Sequence, residues 1–236
     1  RLHARFNEEY LPLVEAEYSS MIRQVLFQEE GSWTGLFSVP GIASDKASGL
    51  LGITAFLASG SLYNEPSTTR RGQLIYKRLL CAGELEKPAL DNDSTPTSLS
   101  AHLSMCKRDR VLALRENPAC AGCHTALDDI GLGLDRFDGW GVYREFEYDN
   151  LLHELNPDCP ISGDGVLPEL GAFNGPDELQ ALLVSSGRIQ ECVVRHQLAF
   201  LLGARPDQVA DDYLEWAHDE FESSLWSYKA LLRSLV

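Results

Sequence analysis

The chain is short of basic residues, of methionine and of long apolar runs. Lysine and arginine number 20 against 35 aspartates and glutamates, a formal net charge of −15 at pH 7. Nucleic acids and anionic membrane surfaces are bound through basic patches, so this balance argues against both as the main partner. It favours solubility and, at low salt, attraction to a basic partner. No apolar run reaches the roughly 20 residues that span a bilayer. The longest candidate, GLLGITAFLASGSL from Gly49, is short and rich in Gly and Ser, so no membrane insertion is expected. No secretory signal is visible. The chain opens on Arg1 and enters RFNEEYLPLVEAEY, which reads as helix; the expectation is a processed product or a domain excised from a longer protein. Internal repeats and low-complexity tracts are absent, as are a Ser–His–Asp array, a phosphate loop and a paired-carboxylate motif that would mark a separate enzyme.

What is present is ordinary globular material. The 236 residues are 44% hydrophobic, enough to bury a core in one large domain or two small ones. Apolar residues recur at helical spacing at Leu2, Phe6, Tyr10, Leu13, Tyr18, Met21 and Val25, which predicts one or two amphipathic helices over 1–30. Further helices are expected over 47–59, 71–81, 99–116, 176–202 and 207–235. The polar stretch 84–98 reads as a loop. Residues 139–175, rich in Gly, Pro and Asp, read as mainly loop with a short hairpin. The fold class expected is mainly α, with long irregular loops.

Among only six cysteines and six histidines, three fall together in ENPACAGCHTALDD, Glu116 to Asp129. A short C-x-x-C serves as a redox dithiol, half of a zinc site, or a covalent haem attachment. A redox dithiol usually sits where a strand enters a helix, whereas KRDRVLALRENPA before Cys120 looks helical. Zinc needs four ligands, often from a second close pair, and Cys81, Cys106, Cys159 and Cys192 are scattered singly. A histidine directly after the second cysteine is the haem c signature. Asn117 suits an N-cap and Pro118 the first helical position. Cys120 and Cys123 then stand at i and i+3, with His124 at i+4 on the same face. Two thioether bonds and an imidazole ligand for one covalently attached haem c are the chemistry this pattern serves. The glycines of DIGLG, Asp129 to Gly133, are expected to end the helix.

Three stretches carry a resemblance. RRGQLIYKRLLC (Arg70 to Cys81), NPACAGCHTALDDIGLGLDRFDGWGVYR (Asn117 to Arg144) and ISGDGVLPELGAFNGPDELQALL (Ile161 to Leu183) follow in order. In that order they resemble the planctomycete-type c-type cytochromes, a set of linked bacterial domains of largely uncharacterised function. The N-terminal EAEYSSMIRQVLFQEEGSWTGLF is similar to the end of the preceding domain of that set, and LLGAR near the C-terminus to its usual tail. The chain departs from the pattern after Cys81, where a proline-rich stretch is replaced by AGELEKPALDNDSTPTS, and in a shortened link before GLLGITAFLA. The resemblance implies a cytochrome c-like haem core, residues 70–146, enlarged by helical segments 1–69 and 147–236. It also implies a single-haem electron carrier of the periplasm or the extracellular space, meeting a redox protein with a basic docking surface, and weakly suggests electron supply to extracellular oxidative degradation of polysaccharide. A haem enzyme or gas sensor with an open distal site, and a zinc-stabilised interaction module, are the alternatives.

His124 is the expected proximal iron ligand. The distal ligand stays open: no methionine follows His124, and only Met21 and Met105 precede it. Met105 in SAHLSMCKRDR and His196 in CVVRHQLAFLL are candidates, beside Met21, His102, His153, Tyr63 or an open site; each also reads as a plain core or surface residue. Ligand identity matters because it shifts haem potential over roughly 0.8 V. In LDRFDGWGVYRE the rings of Phe137, Trp140 and Tyr143 suit packing on a porphyrin and Arg144 a propionate, or they are ordinary core aromatics and a surface arginine. Asp128, Asp129, Asp135 and Asp138 read as helix and turn caps rather than a Ca²⁺ site, since EF-hand spacing is absent. For the four other cysteines, disulfides are compatible with a compartment where haem c is attached; the sequence-nearest pairing is Cys81–Cys106 and Cys159–Cys192, the alternative being four buried thiols.

Overall fold

A computed structural model describes residues 10–27, 32–39, 45–61, 65–83, 85, 105–148 and 154–236. As composition and periodicity predict, the fold is mainly α. In chain order come α1 (Tyr10–Leu26), α2 (Gly49–Gly52), α3 (Thr54–Ser59), α4 (Thr68–Arg78), α5 (Lys107–Leu114), α6 (Pro118–Leu132), the strands β1 (Phe146–Tyr148), β2 (Leu155–Pro160), β3 (Asp164–Leu167) and β4 (Gly171–Asn174), then α7 (Gly175–Ser185), α8 (Arg188–Leu202), α9 (Asp211–Ser223) and α10 (Tyr228–Ser234). No helix among the described residues is long and apolar enough to cross a membrane. The elements fall into two units: Arg1–Phe56 with Arg78–Cys81 and Pro176–Val236, and Leu57–Lys77 with Ala82–Gly175.

In the first unit, Met21 of α1 packs with Val39 and Ile53. Trp33, 2% exposed, meets Phe37 and Phe221 edge-on at 5.1 and 6.1 Å. Glu17 is buried because its carboxylate accepts the Thr54 amide at 2.9 Å. The start of α2 is held by α7. Ser48 donates its amide to Asp177 at 2.9 Å, and Leu51 donates its own to the Gln180 side chain at 3.0 Å. Gly49 between them has φ +63° and lies against the Phe37 backbone, so only glycine fits without strain. The helical stretch 176–202 breaks at Gly187, whose φ of +72° no continuous helix accommodates. The stretch 207–235 breaks where Leu225 and Trp226 both take positive φ and the Ser227 side chain caps α10.

In the second unit, α4 crosses α6 almost backbone to backbone. A Cβ on Gly72 would collide with the Leu127 carbonyl, and one on Gly131 with the Thr68 backbone. The expected helix over 99–116 is α5 alone among the described residues. It starts at Lys107, whose amide donates to both Glu147 carboxylate oxygens at 2.8 and 2.9 Å. Two antiparallel hairpins, β1–β2 and β3–β4, occupy the stretch where one was expected.

The sequence-nearest disulfide pairing is wrong. Cys81 bonds Cys192 and Cys106 bonds Cys159, each with Cα atoms 5.3 Å apart. Loop-closure entropy grows only logarithmically with length, so nearness in sequence is a weak guide. Packing decides instead. Cys81 lies just past α4 beside α8, where the Cys192 sulfur approaches the Arg78 carbonyl. Cys106 precedes α5, whose first amide is held by β1, the partner strand of β2 and its Cys159. One disulfide therefore closes within each unit.

Candidate functional site

The site is built on α6. Asn117 caps it, its side chain accepting the Ala119 amide at 3.0 Å, and Pro118 occupies the first turn. Pro118 lacks the amide proton that would have been orphaned there. Cys120, Cys123 and His124 follow within one and a half turns, all half-buried. Neither Cys120 nor Cys123 is in a disulfide, although the four other cysteines all are. Among the described residues, no cluster of three or more His, Cys, Asp or Glu ligand atoms includes any of these three. The Cys81–Cys192–His196 cluster has its two sulfurs committed to a disulfide, and His218, Asp219 and Glu222 form a surface group.

The imidazole of His124 is oriented from below. Its Nδ1 lies 2.7 Å from Oδ2 of Asp128, one turn on; the His124 side chain keeps 24% of its surface while that of Asp128 has 0%. The other Asp128 oxygen accepts the Thr69 hydroxyl of α4 at 2.6 Å. The hydrogen bond to Asp128 raises the His124 pKa above its ordinary value, against desolvation by burial and the opposing charge of Arg115. An Nδ1 engaged by a carboxylate leaves Nε2 as the nitrogen for a ligand. This donor set fits a haem c: two thiols one turn apart, outside the disulfide framework, and an imidazole on their face with one nitrogen already spoken for.

The four aspartates after His124 do not form a cation cage. Asp129 makes two bonds to Arg115, at 2.6 and 3.1 Å. Asp135 binds the buried Lys107 ammonium at 2.6 Å. Asp138 accepts the Trp140 and Val142 amides at 2.8 and 3.0 Å, a turn cap. Asp128 alone serves His124. Its i+4 spacing from His124 on a helix was the signal that could have revealed the pair.

The aromatic segment is folded on itself. Phe137 is 1% exposed and meets Tyr143 edge-on at 5.6 Å. Arg144 is buried, sits 5.6 Å over the Tyr148 ring and donates to the Asp135 carbonyl at 3.4 Å. Trp140 and Tyr143 remain half-buried. The group that organises this segment, Arg71 of α4, was missed by sequence reasoning, since an arginine in an amphipathic helix ordinarily faces water. It is 0% exposed and donates to the Leu57, Leu134, Phe137 and Asp138 carbonyls at 2.6 to 3.1 Å.

The distal candidates fall in different units. Met105 is 36% exposed and adjoins the Cys106–Cys159 bridge in the second unit. Met21 is 3% exposed in the core of the first unit. His196, also in the first unit, lines a cavity of about 230 Å³ with Val25, Trp33, Leu36 and Tyr228. Its Nε2 has no hydrogen-bond partner among the described residues, and burial, then the charge of Arg78, lower its pKa. His102, His153 and Tyr63 lie outside the described residues.

Comparison with known proteins finds no match among curated proteins and none among solved structures. Residues 47–147, less than half of the chain but including all of α4, α5 and α6, match the family described as PSCyt3, "Protein of unknown function (DUF1588)", which supports the resemblance to a planctomycete cytochrome-like domain family.

Proposed function

We propose that the chain is a mono-haem c-type cytochrome that passes one electron at a time between protein partners. The observation that carries this reading is the state of Cys120 and Cys123: one turn apart on α6, followed by His124, and the two cysteines left out of the disulfides. In that role Cys120 and Cys123 tether the haem through thioethers and His124 Nε2 ligates its iron. The haem supplies a one-electron couple; the chain supplies position, partial exclusion of water and the field that sets the potential. Two disulfides favour an oxidising setting, the periplasm or the extracellular space. The net charge of −15 favours a redox partner with a basic docking surface, steered at low ionic strength. The resemblance to linked bacterial cytochrome domains adds the suggestion that the electrons feed extracellular oxidative breakdown of polysaccharide.

A pyridine haemochrome spectrum with intact mass tests the reading. One covalent haem per chain is expected, lost in a Cys120→Ala, Cys123→Ala double variant; zinc without iron would end it in favour of an interaction module. One observation favours a second reading, a haem enzyme or gas-binding sensor: no methionine follows His124 to close the sixth position. Rapid, tight CO binding by the reduced protein would select that reading, and an unreactive low-spin spectrum the electron carrier.

A further inference from the structure

We propose that Asp128 is the positioning residue of His124: its buried carboxylate, steadied by Thr69, fixes Nδ1 as a donor, turns Nε2 toward the metal and makes that nitrogen an electron-rich ligand that holds the haem at low potential. The inference rests on the haem reading above.

Three features of the structure carry it. The side chain of Asp128 has no solvent exposure, yet the carboxylate has two specific partners, His124 Nδ1 at 2.7 Å on one oxygen and the Thr69 hydroxyl at 2.6 Å on the other. A carboxylate buried this deeply is costly unless its hydrogen bonds are made. The partner on the far side comes from α4, brought to this level by Gly72 and Gly131, where any Cβ would strike the opposing backbone. Finally, the His124 side chain retains 24% of its surface, whereas a histidine serving only the core would be enclosed. Metal-ligating histidines generally donate their second nitrogen to a carboxylate or carbonyl, which fixes the tautomer and raises ligand basicity. A more basic ligand stabilises ferric over ferrous iron.

Outer partners of this kind change metal affinity by roughly 10- to 100-fold. A tenfold change in the ferric-over-ferrous preference is about 59 mV for a one-electron couple. The test is potentiometric titration of the haem-loaded protein in four forms: wild type, Asp128→Asn, Thr69→Val and Asp129→Asn. Asp128→Asn is expected to raise the potential by about tenfold in that ratio or more. Thr69→Val removes a donor from the carboxylate, leaves it more able to draw on Nδ1–H, and is expected to lower the potential. Asp129→Asn deletes the same charge one residue on, where it faces Arg115, and is expected to shift the potential by under a third as much as Asp128→Asn. Equal shifts in the two asparagine variants, or an unmoved or raised potential in Thr69→Val, would overturn the assignment. If Asp128→Asn does not fold, the sign of the Thr69→Val shift decides. A wild-type chain carrying no covalent haem by mass refutes the haem reading itself, and is told apart from a loaded chain whose potential ignores Asp128.

Discussion

Replacing Arg71 by methionine removes a buried fork on which the segment after α6 is hung. The guanidinium spans carbonyls at Leu57, Leu134, Phe137 and Asp138, with five N–H···O bonds between 2.6 and 3.1 Å. Gly60 is glycine because a Cβ there would strike the arginine stem. Burial lowers the Arg71 pKa to about 10, and the field of Asp135 works against that fall; the group stays cationic at neutral pH. Without it, four buried carbonyls lose a charged donor, at roughly 1–3 kcal/mol each by themselves. Removing the charge also returns its desolvation cost, several kcal/mol. The balance places Arg71→Met at a loss of about 3–5 kcal/mol, the range found when one partner of a buried polar pair is deleted. Arg71→Lys keeps the charge but not the planar fork, and should fall between. Urea unfolding followed by circular dichroism measures both. A loss below about 1 kcal/mol for Arg71→Met, the scale of a surface ion pair, would refute the view that these carbonyls depend on it.

Three further outcomes follow from the same geometry. Gly72→Ala should cost about 1–3 kcal/mol or more by overpacking the α4–α6 crossing; a midpoint unchanged in urea would mean that the helices have room to part. Deleting the Cys81–Cys192 bridge as a double alanine variant, a separation of 111 residues, should lower stability by about 4–5 kcal/mol on the chain-entropy model. Calorimetry reads that loss, and a change under about 1 kcal/mol would show that the native bridge is strained or the unfolded chain already compact. Glu147 has its pKa raised, chiefly by desolvation and against the donation from the Lys107 amide. A raised folded pKa contributes stability below the unfolded value near 4.5 that is lost as pH climbs through the folded one. Relative to Glu147→Gln, the wild type should therefore weaken from pH 4 to pH 7 in urea titrations; a wild type that strengthens over that range reverses the sign.

Helices were legible where apolar spacing and caps agreed. Asn117-Pro118 marked the start of α6 to the residue, because an N-cap and a proline with no amide to lose act locally. The breaks at Gly187 and at Leu225–Trp226 were not legible. Gly187 reads as a tolerated helical glycine, and two bulky residues at positive φ contradict their own preference, so both breaks are imposed by packing. The disulfide pairing failed for a related reason. Which cysteines meet depends on Cys81 reaching Cys192 of α8 and Cys106 reaching Cys159 of β2, long-range facts that sequence distance ranks backwards. Arg71 was invisible because its role is to satisfy carbonyls, which every residue carries and no sequence displays.

The placement of the candidate site on α6 was legible, since spacings of three and four residues set which side chains share a helix face. What the structure adds is a reason to prefer one use of the cysteines. Six cysteines allow fifteen full pairings, yet the folded chain closes one bridge within each unit and leaves Cys120 and Cys123 outside both. A compartment that makes two disulfides also oxidises half-exposed thiols, so a pair kept there as thiols is exposed to scrambling and to the oxidation ladder. A structural role offers nothing in return, because neither sulfur is in the buried core. Under the proposed function, thioether formation would consume both thiols and reduce the possible pairings of the rest to three, on the helix where Asp128 holds His124 Nδ1. On that proposal, one covalent event on α6 would account together for the unbridged cysteines, the pairing of the other four and the orientation of the imidazole.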